Sequence, residues 1–269
     1  MKNEWGEVHL GLDAFDLSGK RALVIGAGAA AGRAIALALA EAGADVTVSS
    51  ITTDGDEVMR VKGVQKEIGT LGRRSASVAT DVTLGTGVQV MMRQVAKDMD
   101  GIDVLVNAPD LPLTRAAEAT TDVEWSKAVQ VNLSGVFYAC RAAGKEMLKQ
   151  GRGGRIINVT SVLGERAMAN TVAYSAAHAG VWSLTRSLST EWAAHGITVN
   201  AIAQGWMEHS AALIGEPDPA ANKTVRFVPM KRPGKSDELA LLAVYLASDA
   251  AGYISGQIMR VDGGLSTHL

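Results

Sequence analysis

The sequence of 269 residues contains a single cysteine, Cys140, only six prolines and no long uninterrupted apolar run. One cysteine excludes a disulfide within the chain, and its position in an apolar helical stretch favours a buried, unreactive thiol. No stretch approaches the roughly 18 apolar residues of a membrane-spanning helix. Residues 1–11 are polar and do not predict a signal peptide. These absences predict a cytoplasmic protein that does not enter a membrane.

Neither sign of charge dominates, because 26 Lys and Arg residues accompany 28 Asp and Glu residues, for a net charge of -2. The pair Arg73-Arg74 is too short for a basic patch, so we expect no nucleic acid partner and no attraction to an anionic membrane. The five histidines share no spacing typical of a metal site, so no metal is expected. A small-molecule substrate remains the expected partner.

Short apolar runs alternate with longer amphipathic segments along the whole chain. The runs predict strands at 21–25, 45–49, 74–79, 104–107, 155–160, 198–202 and 257–261. The amphipathic segments predict one helix that ends near residue 42 and five more at 58–71, 88–99, 122–149, 171–194 and 237–248. This alternation predicts right-handed βαβ units and a parallel sheet with helices on both faces. We therefore expect an α/β fold: a single doubly wound Rossmann-type domain over residues 1–269, with a mostly parallel seven-stranded sheet.

The segment 205–233 follows the sixth predicted strand and contains four of the six prolines. Ligands of open α/β sheets bind at the carboxyl ends of the strands. A long irregular segment at that edge predicts a substrate lid, and a surface loop without such a role is the alternative.

Three glycines, Gly26, Gly28 and Gly32, follow the first predicted strand and open the helix after it. Glycines permit a tight turn and let backbone N–H groups approach a pyrophosphate, which a helix N-terminus also favours. Because the turn begins a βαβ unit, it predicts a dinucleotide site. A flexible turn that binds nothing is the alternative.

The second predicted strand ends at Ser49 and Ser50, without the carboxylate that would bind both hydroxyls of an adenosine ribose. The cofactor is therefore NAD or NADP, with the preference open. Ser50 is a candidate cofactor contact. Arg33 either pairs with a 2′-phosphate or is an ordinary surface arginine.

Polar side chains of four kinds are spaced so that they lie near the carboxyl ends of the strands. Ser161 follows the fifth predicted strand, Tyr174 comes 13 residues later, and Asn132 lies in the preceding long helix. His178 comes one helical turn after Tyr174, so both side chains share a helix face. A hydroxyl, a phenol, an imidazole and an amide are the groups of an acid–base site.

Segments from about residue 17 to residue 264 resemble the short-chain dehydrogenase/reductase family. They include Asp103-Val104-Leu105-Val106-Asn107, Val131-Asn132-Leu133, Gly154-Arg155-Ile156-Ile157-Asn158, Gly196-Ile197-Thr198-Val199-Asn200-Ala201 and Val261-Asp262-Gly263-Gly264. The resemblance implies an NAD(P)-dependent oxidoreductase that interconverts a secondary alcohol and a ketone by hydride transfer.

The resemblance also implies roles for individual residues. Tyr174 is the implied general acid/base, Ser161 bonds the substrate oxygen, and Asn132 holds a relay water. The implied cofactor contacts outside the glycine turn are Asp81, Val82, Asn107, Tyr174 and His178. The C-terminal strand and helix resemble family surfaces that form tetramers, which implies a homotetramer or a heteromer with a paralogue.

The sequence departs from the family pattern at several positions. His178 stands where the family has a lysine, and neutral imidazole cannot supply the fixed positive charge that lowers a tyrosine pKa. Losing ~2 pKa units of tuning is worth about 2.7 kcal/mol, or a hundredfold in rate. The other departures are Ile25 and Ala30 in the glycine turn, Asn107-Ala108-Pro109-Asp110 for Asn-Asn-Ala-Gly, Gln204-Gly205 for Pro-Gly, and His209 for a threonine.

Three functions remain open at this point. The first is an active alcohol dehydrogenase or ketoreductase that uses Tyr174 with His178 as a weaker partner. The second is a catalytically impaired subunit that supports an active paralogue structurally or allosterically. The third is non-redox acid–base chemistry by Tyr174 and His178.

Overall fold

The computed structural model describes residues 11–210 and 225–267. Seven strands form one sheet in the order β3-β2-β1-β4-β5-β6-β7, and every pairing is parallel. The strands are β1 (Arg21–Ile25), β2 (Asp45–Ser49), β3 (Ser75–Val78), β4 (Val104–Asn107), β5 (Gly154–Ser161), β6 (Ile197–Gln204) and β7 (Ile258–Val261). The predicted doubly wound domain is confirmed. The chain crosses back to the middle of the sheet after β3, so the order reverses between β1 and β4, where such sheets bind ligands.

Helices cover both faces of the sheet. They are α1 (Ala30–Glu41), α2 (Gly55–Thr70), α3 (Gly85–Asp98), α4 (Asp122–Val129), α5 (Gly135–Gln150), α6 (Val172–Trp192) and α7 (Ser236–Ala247). Helices α2 and α3 begin three residues before their predicted starts, because their first turns are polar and show no apolar period. Asp54 fixes the start of α2 by accepting from the backbone N–H groups of Asp56 and Glu57.

The predicted long helix 122–149 is interrupted by a π-helical turn at Gln130–Ser134, between α4 and α5. A capping box at Thr121 and Glu124 fixes the beginning of α4. The π turn contains one residue more than a regular α-helical turn would, and such turns occur often at functional sites. It carries Asn132, one of the predicted site residues.

The apolar core has two parts, one on each face of the sheet. Along β1, Ala22 and Val24 belong to the part that α1, α2 and α7 cover, whereas Leu23 and Ile25 belong to the part that α3, α5 and α6 cover. Burying an aliphatic side chain of this size stabilises a protein by about 1.5–3 kcal/mol. A well-packed core therefore holds the strand ends in place. Within the described ranges, no helix is both long and apolar enough to cross a membrane.

The predicted lid 205–233 is described at 205–210 and 225–233, and residues 211–224 lie outside the described residues. Met207 forms a parallel bridge with Gly234, which joins the two described ends. Trp206 and Val228 are buried in a small apolar cluster with Leu163 and Tyr174. These two ends pack over Tyr174, and a lid function stays a prediction.

Candidate active site

The turn between β1 and α1 requires glycine at two positions. Gly26 has a φ of 86°, and a Cβ there would collide with the carbonyl oxygen of Ala108. A Cβ on Gly32 would collide with the carbonyl oxygen of Gly26. Chain segments thus approach each other more closely at this turn than other residues allow.

The mouth of this turn presents backbone to solvent. Ala29 and Ala30 are exposed, Gly28 is half-buried, and no side chain caps α1. The first N–H groups of a helix lack intrahelical partners and attract anions. The methyl group of Ala30 points to solvent and leaves the turn intact. The turn therefore fits the pyrophosphate of a dinucleotide.

The other predicted adenosine contacts are already engaged within the protein. The Arg33 guanidinium forms an ion pair with Glu67 of α2, with an Nε–Oε1 distance of 3.2 Å. Ser50 is fully buried, and its hydroxyl accepts from the N–H of Thr80 at 3.0 Å. Asp81 accepts from the N–H of Thr83 at 2.9 Å. Their contacts with a cofactor stay predictions.

Sequence reasoning missed the carboxylate beside this turn, that of Glu57. Its Oε1 accepts from the N–H of Ile51 at 2.8 Å, and its Oε2 accepts from the hydroxyl of Thr52 at 2.7 Å. A Cβ on Gly28 would lie 3.0 Å from the Cγ of Glu57. A ribose-binding carboxylate is expected at the end of β2 itself, whereas this carboxylate reaches the strand end from the first turn of α2.

The predicted catalytic side chains lie beyond the carboxyl ends of β4, β5 and β6. Ser161 is the last residue of β5, Tyr174 lies in the first turn of α6, and His178 lies one turn later. The Ser161 hydroxyl and the Tyr174 phenol line the same pocket, and the Ser161 hydroxyl favours a lower pKa of Tyr174. All three side chains are at most 3% exposed. The structure brings them together in a protected position.

His178 is neutral. Its Nδ1 is 2.9 Å from the hydroxyl oxygen of Thr160, and its buried Nε2 has no hydrogen-bond partner among the described residues. Burial lowers the pKa of His178 to about 3. The ring lies against Tyr174, with centroids 4.2 Å apart. His178 therefore offers a neutral nitrogen and no positive charge.

The hydroxyl of Tyr174 donates to Oδ1 of Asp110 at 3.0 Å. Burial raises the pKa of Asp110 to about 6. Burial, followed by the Asp110 charge and this hydrogen bond, raises the pKa of Tyr174 well above its ordinary value. The carboxyl group, rather than the phenol, therefore changes protonation near neutral pH. The sequence had shown Asp110 only as a departure in the segment after β4, without a role.

Two other departures continue this network. Gln204 lies in the same pocket and favours lower pKa values of Asp110 and Tyr174, and its Oε1 is 3.1 Å from Nε2 of His209. Nδ1 of His209 is 3.1 Å from the hydroxyl of Ser236 in α7. Six of the eight residues that line the pocket above Tyr174 have polar side chains: Asp110, Ser161, Tyr174, Gln204, His209 and Ser210, with Pro112 and Gly205 as the other two. The site suits a ligand with several hydrogen-bonding groups.

Two predicted site residues have structural partners. Asn132 accepts from the N–H of Leu111 and donates to the carbonyl of Leu111, both at 2.9 Å, which holds the segment that carries Asp110. Asn107 is buried behind the strand ends and donates to Oδ1 of Asn158 at 2.9 Å.

Burial raises the pKa of the neighbouring Cys140 thiol to about 12. Among residues 11–210 and 225–267, no three His, Cys, Asp or Glu side chains are grouped to hold a metal ion.

Known proteins match this chain over most of its length. A family model described as enoyl-(acyl carrier protein) reductase matches residues 26–266. The 2-dehydro-3-deoxy-D-gluconate 5-dehydrogenase of Bacillus subtilis (strain 168) is 36% identical over 253 residues, which cover 94% of this chain and 96% of that protein.

Solved structures match equally well. A short-chain type dehydrogenase/reductase from Mycobacterium marinum has a TM-score of 0.87 and 33% identity, with 95% of this chain and 98% of that chain covered. An Agrobacterium tumefaciens structure with bound NADP, provisionally named a 2-deoxy-d-gluconate 3-dehydrogenase, has a TM-score of 0.85 and 33% identity, with 95% and 100% covered. This chain therefore belongs to the short-chain dehydrogenase/reductase family of NAD(P)-dependent oxidoreductases.

Proposed function

We propose that this protein interconverts a secondary alcohol and a ketone of a small hydroxylated molecule, with Tyr174 as general acid/base. The observation that carries the proposal is the meeting of Ser161, Tyr174 and Asp110 at one point beyond the strand ends, on the side of the sheet where the glycine turn lies. The name of the Bacillus relative, a dehydrogenase of a sugar-acid derivative, supports this class of reaction.

The glycine turn and the first N–H groups of α1 would hold the pyrophosphate of the cofactor, and the partnerless Nε2 of His178 would bond a hydroxyl of the nicotinamide ribose. When bound, the nicotinamide ring supplies the acceptor or donor of the hydride. His178 takes this position without the charge of a lysine and so does not lower the pKa of Tyr174. A phenol that stays protonated needs a partner that accepts its proton.

Asp110 provides the proton acceptor that His178 cannot provide. In alcohol oxidation, Tyr174 takes the proton of the substrate hydroxyl while its own proton passes to the Asp110 carboxylate. The proton lost by the substrate thus appears on Asp110, and Tyr174 ends in its starting form. Ketone reduction runs the same transfers backwards. Ser161 positions the substrate oxygen through its hydroxyl.

The pocket favours a substrate rich in hydroxyl groups over a hydrocarbon chain. Asp110, Gln204, His209 and Ser210 all present polar atoms around Tyr174. These groups have partners within the protein, and a hydroxylated substrate could join their network, whereas an apolar substrate would remove them from water without offering a new hydrogen bond. We therefore propose a small polyol or hydroxyketone as the substrate class.

The test begins with fluorescence titration of NADH and NADPH, followed by turnover assays on a panel of small polyols and hydroxyketones. We expect binding, turnover, and a loss of at least ~100-fold in kcat for Tyr174→Phe, because the proton carrier is removed. Tyr138→Phe, on α5 and outside the pocket, is the matched control and should leave kcat unchanged. Failure to bind either nucleotide would refute the proposal. Binding without any turnover would instead favour a supporting subunit.

We further propose that the chain assembles as a homotetramer or with a paralogue. The C-terminal strand and helix resemble surfaces with which members of the family form tetramers. Leu241 of α7 is 69% exposed, and Tyr253, in the segment between α7 and β7, is fully exposed, so a second subunit could cover either side chain. Sedimentation of the purified chain measures the state directly.

A further inference from the structure

We propose that Glu57 makes this protein select a dinucleotide with free ribose hydroxyls, NAD(H), over its 2′-phosphorylated counterpart, NADP(H). This inference rests on the proposed dinucleotide site at the glycine turn. It concerns the adenosine end of that site and is independent of the proton transfer at Tyr174. It also separates this chain from the Agrobacterium relative, which was solved with bound NADP.

The carboxylate of Glu57 is fixed in the gap between the glycine turn and the end of β2. The residue is 9% exposed, each carboxylate oxygen accepts one hydrogen bond from residues that follow β2, and the Cγ lies beside Gly28. In dinucleotide-binding folds of this type, the adenosine ribose lies near the end of the second strand. Glu57 therefore occupies the position of a ribose-reading carboxylate, although it comes from α2.

Capping of α2 does not require the Glu57 carboxylate. Asp54 already caps α2 by accepting from the N–H groups of Asp56 and Glu57. The Glu57 carboxylate turns away from these groups and bonds the backbone after β2 instead. An ionised carboxylate has about four acceptor positions, so the two bonds leave capacity for ribose hydroxyls.

Charge at this rim opposes a 2′-phosphate. Asp54, Asp56 and Glu57 place three carboxylates at the start of α2. Among the nearby cations, Arg33 is paired with Glu67, and Nε of Arg60 donates to the carbonyl of Gly28 at 3.3 Å, a contact that leaves the charge of Arg60 in place. Phosphate recognition in proteins commonly uses bidentate contacts from Arg or Lys groups, whereas at this rim one guanidinium stands beside three carboxylates. A phosphate beside Glu57 would meet repulsion that a hydroxyl does not.

The test uses ligands that lack the nicotinamide, so that binding at the adenosine end is measured without catalysis. ADP-ribose and 2′-phospho-ADP-ribose are titrated by calorimetry into the wild-type chain, Glu57→Gln and Glu41→Gln. Glu41 lies exposed at the far end of α1 and controls for the loss of one negative charge. We expect the wild type to bind ADP-ribose at least tenfold more tightly. Glu57→Gln should bring this ratio close to one, and Glu41→Gln should keep it.

The outcomes separate this inference from the proposed function. Equal binding of the two ligands by the wild type, or an unchanged ratio in Glu57→Gln, would overturn the role of Glu57 and leave the oxidoreductase proposal standing. The expected ratios in a chain that turns over no substrate would support Glu57 and refute the hydride transfer. Binding of neither ligand would overturn both. If Glu57→Gln does not fold, the wild-type ratio still decides, and Thr52→Val, which removes one of the bonds that hold the carboxylate, should lower it.

Discussion

The adenosine end and the reaction end of this site are built on different principles. At the adenosine end, backbone groups around Gly26 and Gly32 define the ligand position, and most side chains there are satisfied within the protein. At the reaction end, the proposed chemistry rests on the side chains of Asp110, Tyr174 and His178, and burial shifts the pKa of each. Where backbone groups contact the ligand, many side chains can be replaced without a change in those contacts. Where side chains contact the ligand, each replacement changes the chemistry. Most positions at which the sequence departs from the family pattern lie at the reaction end.

The largest effect should come from the backbone of the adenosine end. Gly26→Val forces a β-branched residue to a φ of 86° and drives its side chain into the carbonyl of Ala108, so we expect a loss of about 4 kcal/mol in the free energy of unfolding. Urea denaturation measures it. Gly63→Ala, in the middle of α2 with open space around it, should instead stabilise by about 0.5–1 kcal/mol. An unchanged midpoint for Gly26→Val would show that the turn is not rigid.

The next effect concerns acid stability at the reaction end. The folded pKa of His178 is about 3, below the unfolded value of 6.5, so the unfolded chain takes up the proton first and stability is lost as the pH falls below 6.5. Asp110 acts oppositely: its folded pKa of about 6 lies above 3.8, so its contribution is present at low pH and is lost as the pH rises through 6.

His178→Asn removes only the first of these effects. The free energy of unfolding of the variant, taken relative to that of the wild type, should therefore be about 3 kcal/mol higher at pH 4 than at pH 7. Urea denaturation at both pH values measures the gain. His195→Asn, at an exposed position, is the control and should show almost none. Equal pH dependence in His178→Asn and the wild type would mean that His178 is not buried as a neutral group.

Replacing the carboxylate at the reaction end should slow alcohol oxidation. Asp110→Asn removes the final proton acceptor, and we expect a loss of about 100-fold in kcat at pH 7. In the wild type, kcat should rise with pH through about 6 as Asp110 ionises, and the variant should lose this rise. Asp249→Asn, 67% exposed, is the control and should keep both rate and profile. A retained inflection near pH 6 in Asp110→Asn would assign it to another group.

The smallest expected effect comes from restoring a cation. The ammonium group in His178→Lys would lie near the Tyr174 ring and favour the phenolate, so we expect the pH optimum of oxidation to move down and kcat to rise by about tenfold. Ala179→Lys places the same charge on the exposed side of α6 and should change neither. An unchanged profile in His178→Lys would show that Asp110 alone governs the proton transfer.

The fold was predictable from local patterns, but part of the site was not. Strand runs and the glycine turn carry their signals within a few residues, so β1 and the start of α1 follow from the sequence. The roles of Glu57 and Asp110 depend on which side chain a neighbouring element brings to the same point. Glu57 reaches β2 from α2, and Asp110 meets Tyr174 from the segment after β4. Neither contact has a period or spacing that the sequence displays.

The π turn at Gln130–Ser134 also lacked a signal, because one additional residue hardly disturbs the apolar pattern of a long helix. The turn also determines how α4 is rotated relative to α5. An α-helix advances about 100° per residue, so deleting one residue between Gln130 and Ser134 would restore a regular helix and rotate everything before it by that angle relative to α5. Asn132 would then swing away from Leu111, and the segment that carries Asp110 would lose both of its anchoring bonds. The rotational phase of a helix thus sets the position of Asp110, the proposed proton acceptor.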